Sequence, residues 1–337
     1  MPTCPRCGEP ITGNWVLIGK DFYHWNCGIK QAYEVIKNRG LSLLAYKNVV
    51  SVGVGFKIKE GVVKREISLV FGVVKKVREE ELKDIDIIPK EIDGISTDVI
   101  ETGAFTAPPP PAGLVKPRKK KYRPVKGGSS ISHIESNIPG TAGGIVKLNK
   151  KKFILSTNHV AALMNEAELN DPIIQPAKAD GGKSDDIIGY LEDFTFINFS
   201  KGVINELDAA LISPVNDKMV SESIIDIGKV KGFEEADLGI QVKKSGRTTG
   251  LTSGHIIQLG VLIVIIYPGD KSAIFKDQIL VIGTEARKFI AYGDSGSFVI
   301  NPATKRVIGL AFAGSLYRNY ALITPMRKII EFFGVEI

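Results

Sequence analysis

From residue 129 onward the chain is written in short apolar runs, at 153–155, 209–212, 261–267, 298–300 and 307–312, broken by Gly, Asp, Asn and Pro. Runs this short, closed by turn-forming residues, predict strands. Their spacing over about 200 residues predicts an all-β sandwich or a pair of barrels. The longest run, 261–267, is far short of the ~20 residues needed to cross a bilayer and reads as a buried strand. The final segment, 326–333, changes to helical periodicity.

The 337 residues allow two or three domains. Residues 1–37 form a cysteine-containing module closed by a helix over 29–37. Its Ile29, Ala32, Tyr33 and Ile36 recur at helical spacing, and Arg39-Gly40 mark its stop. Residues 41–105 read as a small α/β accessory domain, with strands near 50–58, 67–74 and 95–100 and a short helix over 79–83. Residues 106–128 form a linker: four prolines at 108–111 favour an extended spacer, followed by a basic run over 116–126. A solvated spacer is the default reading of that segment.

Charge and cysteine content narrow the setting. The net charge is +7, and seven basic residues lie in 116–126. That run opens a possible nucleic-acid contact without requiring one. All three cysteines lie within the first 27 residues, so residues 28–337 cannot form a disulfide. With no apolar leader at the start, a reducing, cytoplasmic setting without membrane attachment is expected. A homo-oligomer is left open.

Three segments carry chemistry. Tyr292-Gly-Asp-Ser-Gly-Ser297 places Ser295 between glycines, which permit a tight turn and close approach of a substrate. A serine hydroxyl needs such presentation, a base, and donors for a developing oxyanion. Phe153-Ile-Leu-Ser-Thr-Asn-His-Val-Ala-Ala162 puts His159 just after a strand, where a general base can be held rigidly. Asn205-Glu-Leu-Asp-Ala-Ala-Leu-Ile212 puts Asp208 at the edge of an apolar strand, where a carboxylate needs a partner such as an imidazole N–H. The order is His, Asp, Ser. The α/β-hydrolase order Ser, Asp, His is excluded, because the last histidine, His255, precedes Ser295.

These segments resemble the Thr-Ala-Ala-His, Asp-Ile-Ala-Leu and Gly-Asp-Ser-Gly motifs of trypsin-like proteases. Residues 41–337 look more closely like prokaryotic relatives of the plant narrow-leaf-type serine proteases. The shared stretches are Asp171-Pro-Ile-Ile-Gln-Pro176 with Ala179-Asp-Gly-Gly182, Ile188-Gly-Tyr-Leu-Glu-Asp-Phe194, Gly246-Arg-Thr-Thr-Gly-Leu-Thr-Ser-Gly254 and Gly309-Leu-Ala-Phe-Ala-Gly-Ser315. The resemblance implies a mainly β, chymotrypsin-like double barrel over 129–337, with the site in the cleft between the barrels. It implies a serine endopeptidase with catalytic His159, Asp208 and Ser295 and an oxyanion hole from the N–H groups of Gly293 and Ser295. By position, Phe289 would sit at the base of the substrate pocket and Gly314 along its wall. No acid stands at 289, so apolar or small side chains are the expected preference. Ser297, Phe298 and Val160 depart from the usual motifs without removing a catalytic group. In trypsin-like enzymes the aspartate at Asp294's position pairs with a newly cut N-terminus. Nothing near Gly140-Thr-Ala-Gly-Gly144 marks such a cut, so another partner for Asp294 is expected.

Cys4-x2-Cys7 and His24-x2-Cys27 form two close ligand pairs separated by sixteen residues. Four such donors suit one tetrahedral zinc with no position left open for chemistry. The spacing resembles half of a LIM-type zinc finger, which implies a structural cap or a site for a protein partner. Two other classes of function stand beside the peptidase acting on protein or peptide substrates. One is a catalytically silent protease-like scaffold that binds partners; the other is a nucleic-acid-associated regulator acting through 116–126.

Overall fold

A computed structural model describes residues 2–59, 62–109, 111 and 117–337. Pro110 of the proline run and Lys116 of the basic run lie outside the described residues. The chain is mainly β, as its patterning predicts. The strands Gln241–Gly246, Gly250–Ile266, Ser272–Gly283, Tyr320–Pro325, Arg306–Ser315 and Phe298–Asn301 pair in that order, and the last returns to the first. Six strands thus close into a barrel, which leaves no free edge between them. Its interior holds Val242, Ile256, Val281, Val299, Ile308 and Ile323, all nearly solvent-free.

The preceding barrel is a seven-stranded sheet whose outer strands are Gly140–Thr141 and Gly144–Leu148. These edges are consecutive in the chain, so the sheet must roll to bring them together. Ile131, Ile154, Ile173, Ile188, Leu191 and Ile212 fill it.

The N-terminal units are built onto the second barrel. The strand Val49–Lys59 pairs with the distal part of Gly250–Ile266, and Val62–Val73 and Ile95–Glu101 continue the sheet outward. A helix, α1 (Trp25–Leu43), packs on this sheet through Ala32, Val35, Ile36 and Leu43, against Val52, Val54, Leu69 and Phe71. The expected helix over 29–37 is therefore too short at both ends, and Arg39-Gly40 do not stop it. Gly40 is buried in α1, and a Cβ there would stand 2.6 Å from the Leu262 side chain. The glycine serves close helix–strand approach, not termination. Hydrogen-bonded and packed elements run across the sequence divisions at 37 and 41, so the cysteine hairpin, α1 and the accessory strands share one apolar core. The short helix expected over 79–83 is a single 3₁₀ turn, Glu79–Glu81, because Leu82 is already extended.

The linker also differs from a solvated spacer. The Arg118 guanidinium donates to Ser245 Oγ (2.8 Å) and the Gly246 carbonyl (3.1 Å) and pairs with Asp226. Arg123 donates to Gln175 Oε1 (2.7 Å) and to its carbonyl (3.0 Å), and Lys121 pairs with Asp186. The basic run is thereby docked across both barrels. Arg118, Lys121 and Arg123 thus meet protein carboxylates and carbonyls, while Lys119 and Lys120 stay exposed.

Candidate active site

His159 lies on the one-turn helix α2 (Asn158–Ala161), immediately after the strand Lys151–Ser156. The turn is pinned by its neighbour: Asn158 Nδ2 donates to the Thr195 carbonyl (2.6 Å) and to Asn165 Oδ1 (2.8 Å). Asp208 precedes the strand Ala210–Pro214, which pairs with the histidine's strand. That pairing brings His159 Nδ1 to 2.6 Å from Asp208 Oδ2, while the His159 backbone N–H donates to Oδ1 (3.2 Å). Tyr267 Oη donates to the same Oδ2 (2.9 Å). Asp208 is fully buried, so these three donors replace its lost hydration. Burial and the Asp208 carboxylate both push the Tyr267 phenol well above its ordinary range, keeping it a neutral donor.

Ser295 is presented by a turn of the second barrel. Gly293 has φ +96°, a conformation costly for any residue with a Cβ. Neighbouring amides are occupied: Asp294 N–H donates to the Ala291 carbonyl, Gly296 N–H to Ala311 and Ser297 N–H to Asp294. The N–H groups of Gly293 and Ser295 have no acceptor among the described residues. Thr141, from the first barrel, clasps the turn, its N–H bonding the Ser295 carbonyl (2.8 Å) and its hydroxyl the Gly293 carbonyl (2.8 Å). Ser295 Oγ does not reach for the histidine. It donates to the Phe312 carbonyl (3.1 Å), and His159 Nε2 is buried without a hydrogen-bond partner among the described residues. The fold therefore joins His159 to Asp208 but leaves Ser295 turned aside.

Asp294 finds its partner within the chain. Lys244 Nζ lies 3.2 Å from Asp294 Oδ2, and both side chains are fully buried. The carboxylate also accepts from the N–H groups of Thr248 (2.7 Å) and Ala291 (3.0 Å) and from Thr249 Oγ1 (2.7 Å). Burial pushes the Lys244 ammonium down, and the Asp294 charge opposes that shift. Nearby, Arg247 forms a two-pronged pair with Asp180 of the first barrel, one prong at 2.8 Å. Phe289 is 1% exposed and packed inside the second barrel with Val242 and Ile256, and its carbonyl accepts from Thr252 Oγ1 (2.8 Å). Gly314 lies against Ile290 and Pro109.

The local patterns do not mark Tyr267, Lys244, Arg247 or Thr141. For Tyr267 a signal exists: a phenol closing a fully apolar run must carry its hydroxyl to some buried partner. A lysine inside a strand at Lys244 carries a similar message.

Cys4, Cys7, His24 and Cys27 bring four donor atoms within 4.8 Å of one another. A tetrahedron with Zn–S bonds of ~2.3 Å has edges of ~3.8 Å, so the set fits one metal ion. The hairpin Trp15–Ile18 and Asp21–His24 supplies the histidine, and the first turn of α1 supplies Cys27. Burial pushes the Cys4 thiol up, but the backbone N–H groups of His24, Cys7 and Arg6 more than offset this and hold it at about 6. Burial and the neighbouring thiols of Cys7 and Cys4 push Cys27 up to about 11. Three crowded thiols resist joint ionisation, which is the conflict a divalent cation relieves.

Two β-barrels, with a His–Asp pair on the first and a glycine-flanked serine turn on the second, define the chymotrypsin-like protease fold. Residues 190–328 match the family model of the Nal1 C-terminal domain. The chain is 25% identical over 319 residues to Protein NARROW LEAF 1 of Oryza sativa subsp. japonica, a match covering 82% of this chain. It spans about half (53%) of that relative's length. Among solved structures, it is similar to a glutamic acid specific serine protease (18% identity, TM-score 0.48, covering 63% of this chain and 100% of that one). Thermobifida fusca Protease A is also similar (15% identity, TM-score 0.44, covering 63% and 97%). No helix is long and apolar enough to cross a membrane among the described residues.

Proposed function

We propose that the protein is a serine endopeptidase, a reading supported above all by the buried His159–Asp208 bond of the first barrel together with the Ser295 turn of the second, whose Gly293 and Ser295 amides have no acceptor among the described residues. In the reaction, Ser295 Oγ attacks the scissile carbonyl carbon while His159 Nε2 takes its proton. The N–H groups of Gly293 and Ser295 receive the oxyanion. The C–N bond breaks as His159 returns the proton to the leaving amine, and water then hydrolyses the acyl-enzyme by the same route. Asp208 orients His159 and stabilises its cationic form, and Tyr267 is a positioning residue for Asp208. Lys244 supplies the counter-charge for Asp294, so the serine turn needs no newly cut N-terminus. The Cys4, Cys7, His24 and Cys27 set holds one structural zinc and leaves catalysis metal-free. The lack of any cysteine beyond residue 27 supports a reducing, cytoplasmic setting.

The experiment is labelling of full-length protein with a fluorophosphonate, which reports an activated serine. Label should attach to Ser295 and be absent from Ser295→Ala. Equal labelling of both chains would remove the assignment. Tyr267→Phe keeps the ring's packing against Phe199 and Phe275 but deletes a donor to a buried carboxylate. A hydrogen bond to a charge contributes about 1.5–3 kcal/mol. The labelling rate of the folded protein should fall roughly tenfold to a hundredfold, with the melting temperature lowered by several degrees. An unchanged rate would leave Tyr267 a packing residue alone.

A second reading, a protease-like scaffold that binds protein partners through the metal module, draws on one observation: Ser295 is fully buried and bonded away from His159. Absence of label from every variant would favour it.

A further inference from the structure

We propose that residues 104–109 of this chain act in cis as a strap, filling the edge of the strand Arg306–Ser315 beside Ser295. Polypeptide substrate enters only when the strap leaves. This rests on the reading of Ser295 as nucleophile and concerns what stands in its way.

The segment is inserted as a strand. Phe105 and Thr106 pair antiparallel with Ser315 and Gly314 on one side and parallel with Ile265 and Ile266 on the other. The Ala107 N–H donates to the Ile266 carbonyl (3.0 Å), the Leu316 N–H to the Ala104 carbonyl (2.9 Å), and Ser315 Oγ to the Thr102 carbonyl (2.5 Å). Phe105 and Ala107 are fully buried, in one apolar cluster with Tyr267 and Phe312. These are the features of strand addition: backbone bonds supply affinity, and alternate side chains enter pockets.

The register explains how the strap restrains Ser295. Thr106 faces Gly314 and the paired segment ends there, so the position that a continuing strand would set opposite Phe312 falls in sequence on Pro108. In an antiparallel pair, a residue there would offer its N–H to the Phe312 carbonyl. Proline has none. The Ser295 hydroxyl takes that carbonyl instead (3.1 Å), leaving His159 Nε2 buried and unpartnered among the described residues. Pro109 packs against Gly314. A substrate with an N–H at the Pro108 position would occupy the Phe312 carbonyl and free Ser295 Oγ to turn toward His159. The edge thus suits extended peptides with an apolar residue at the Phe105 position, a small one at the Ala107 position, and any residue but proline next.

The test uses two arms on the full chain. In the first, a fluorescein-labelled peptide of residues 101–109 (Glu-Thr-Gly-Ala-Phe-Thr-Ala-Pro-Pro) is titrated and followed by anisotropy. The proteins are Ser295→Ala, Ser295→Ala with Phe105→Ala, and Ser295→Ala with Ala107→Pro. Phe105→Ala removes a buried anchor and could impair folding. Ala107→Pro deletes the N–H bonded to Ile266 and crowds a buried position but keeps the Phe105 anchor, so it perturbs the strap by a different route if the first variant is unfolded. A tethered strap competes at millimolar effective concentration. The released variants should therefore bind the peptide at least tenfold more tightly than Ser295→Ala alone. In the second arm, with Ser295 intact, Ala107→Pro should react with fluorophosphonate at least tenfold faster than the parent. Equal peptide affinity in all folded chains overturns the strap, whatever the labelling shows. Tighter peptide binding with no label on any chain supports the strap and removes Ser295 as the nucleophile.

Discussion

Lys244→Met should destabilise the protein by about 3–5 kcal/mol and slow the labelling of Ser295. The magnitude follows from burial. Lys244 and Asp294 are both fully solvent-free and 3.2 Å apart, so methionine conserves much of the volume but strands a carboxylate without its counter-charge. The N–H groups of Thr248 and Ala291 and the Thr249 hydroxyl still reach that carboxylate, which keeps the loss within this range. The half-exposed pair Arg39–Asp93 provides the contrast. Water already screens it, and Arg39→Met should cost no more than about 1 kcal/mol. Urea unfolding of the two variants measures both numbers. A Lys244→Met loss as small as that of Arg39→Met would mean that the backbone donors alone stabilise Asp294. The functional consequence follows from adjacency: Asp294 precedes Ser295, and its N–H and carbonyl both shape the turn, so displacing it moves the Gly293 and Ser295 amides.

Removal of the metal is expected to unfold residues 2–28 while leaving both barrels intact. Apparent zinc-binding energies in isolated finger peptides are on the order of 10 kcal/mol, and that energy is folding energy where the apolar core is small. Here the hairpin buries Val16 and Ile18 in the shared core, with Tyr23 partly buried against it. The accessory strands and the C-terminal part of α1 keep their own contacts, through Val35, Ile36 and Leu43. Hydrogen exchange after chelation should therefore show loss of protection in the hairpin and the first turn of α1, with the strand Gly250–Ile266 unchanged. Cys4→Ser should reproduce it, and metal analysis of the native protein should find one equivalent of zinc. Full protection of the hairpin in metal-free protein would show that its apolar contacts suffice.

Much of the architecture was legible from local pattern. Alternating apolar residues and turn punctuation are short-range signals, so the strands near 50–58, 67–74 and 95–100 and the helix over 326–333 could be read from their own residues. The ends of α1 could not. Gly40 resembles a helix stop in any sequence window, and only Leu262, more than two hundred residues away, shows that a small residue is needed there. The same limit governed 116–126. A row of lysines and arginines reads as solvated until the carbonyls of Gln175 and Gly246 and the carboxylates of Asp186 and Asp226 are brought beside it.

By itself, the sequence determined the β character of residues 129–337, the segments that carry His159, Asp208 and Ser295, and the spacing of Cys4, Cys7, His24 and Cys27. Each of these is a pattern over a few adjacent residues. Tertiary structure decided which groups meet: Tyr267 at Asp208, Lys244 at Asp294, Thr141 at the serine turn, and the 104–109 strap along Gly314 and Ser315. Those pairs are separated by about 50 to 210 positions. Their contact depends on how two sheets close into barrels, and a hydrogen bond or ion pair extends only ~3 Å. No local pattern encodes such a meeting, so the partner of each buried charge became visible only once the barrels had closed.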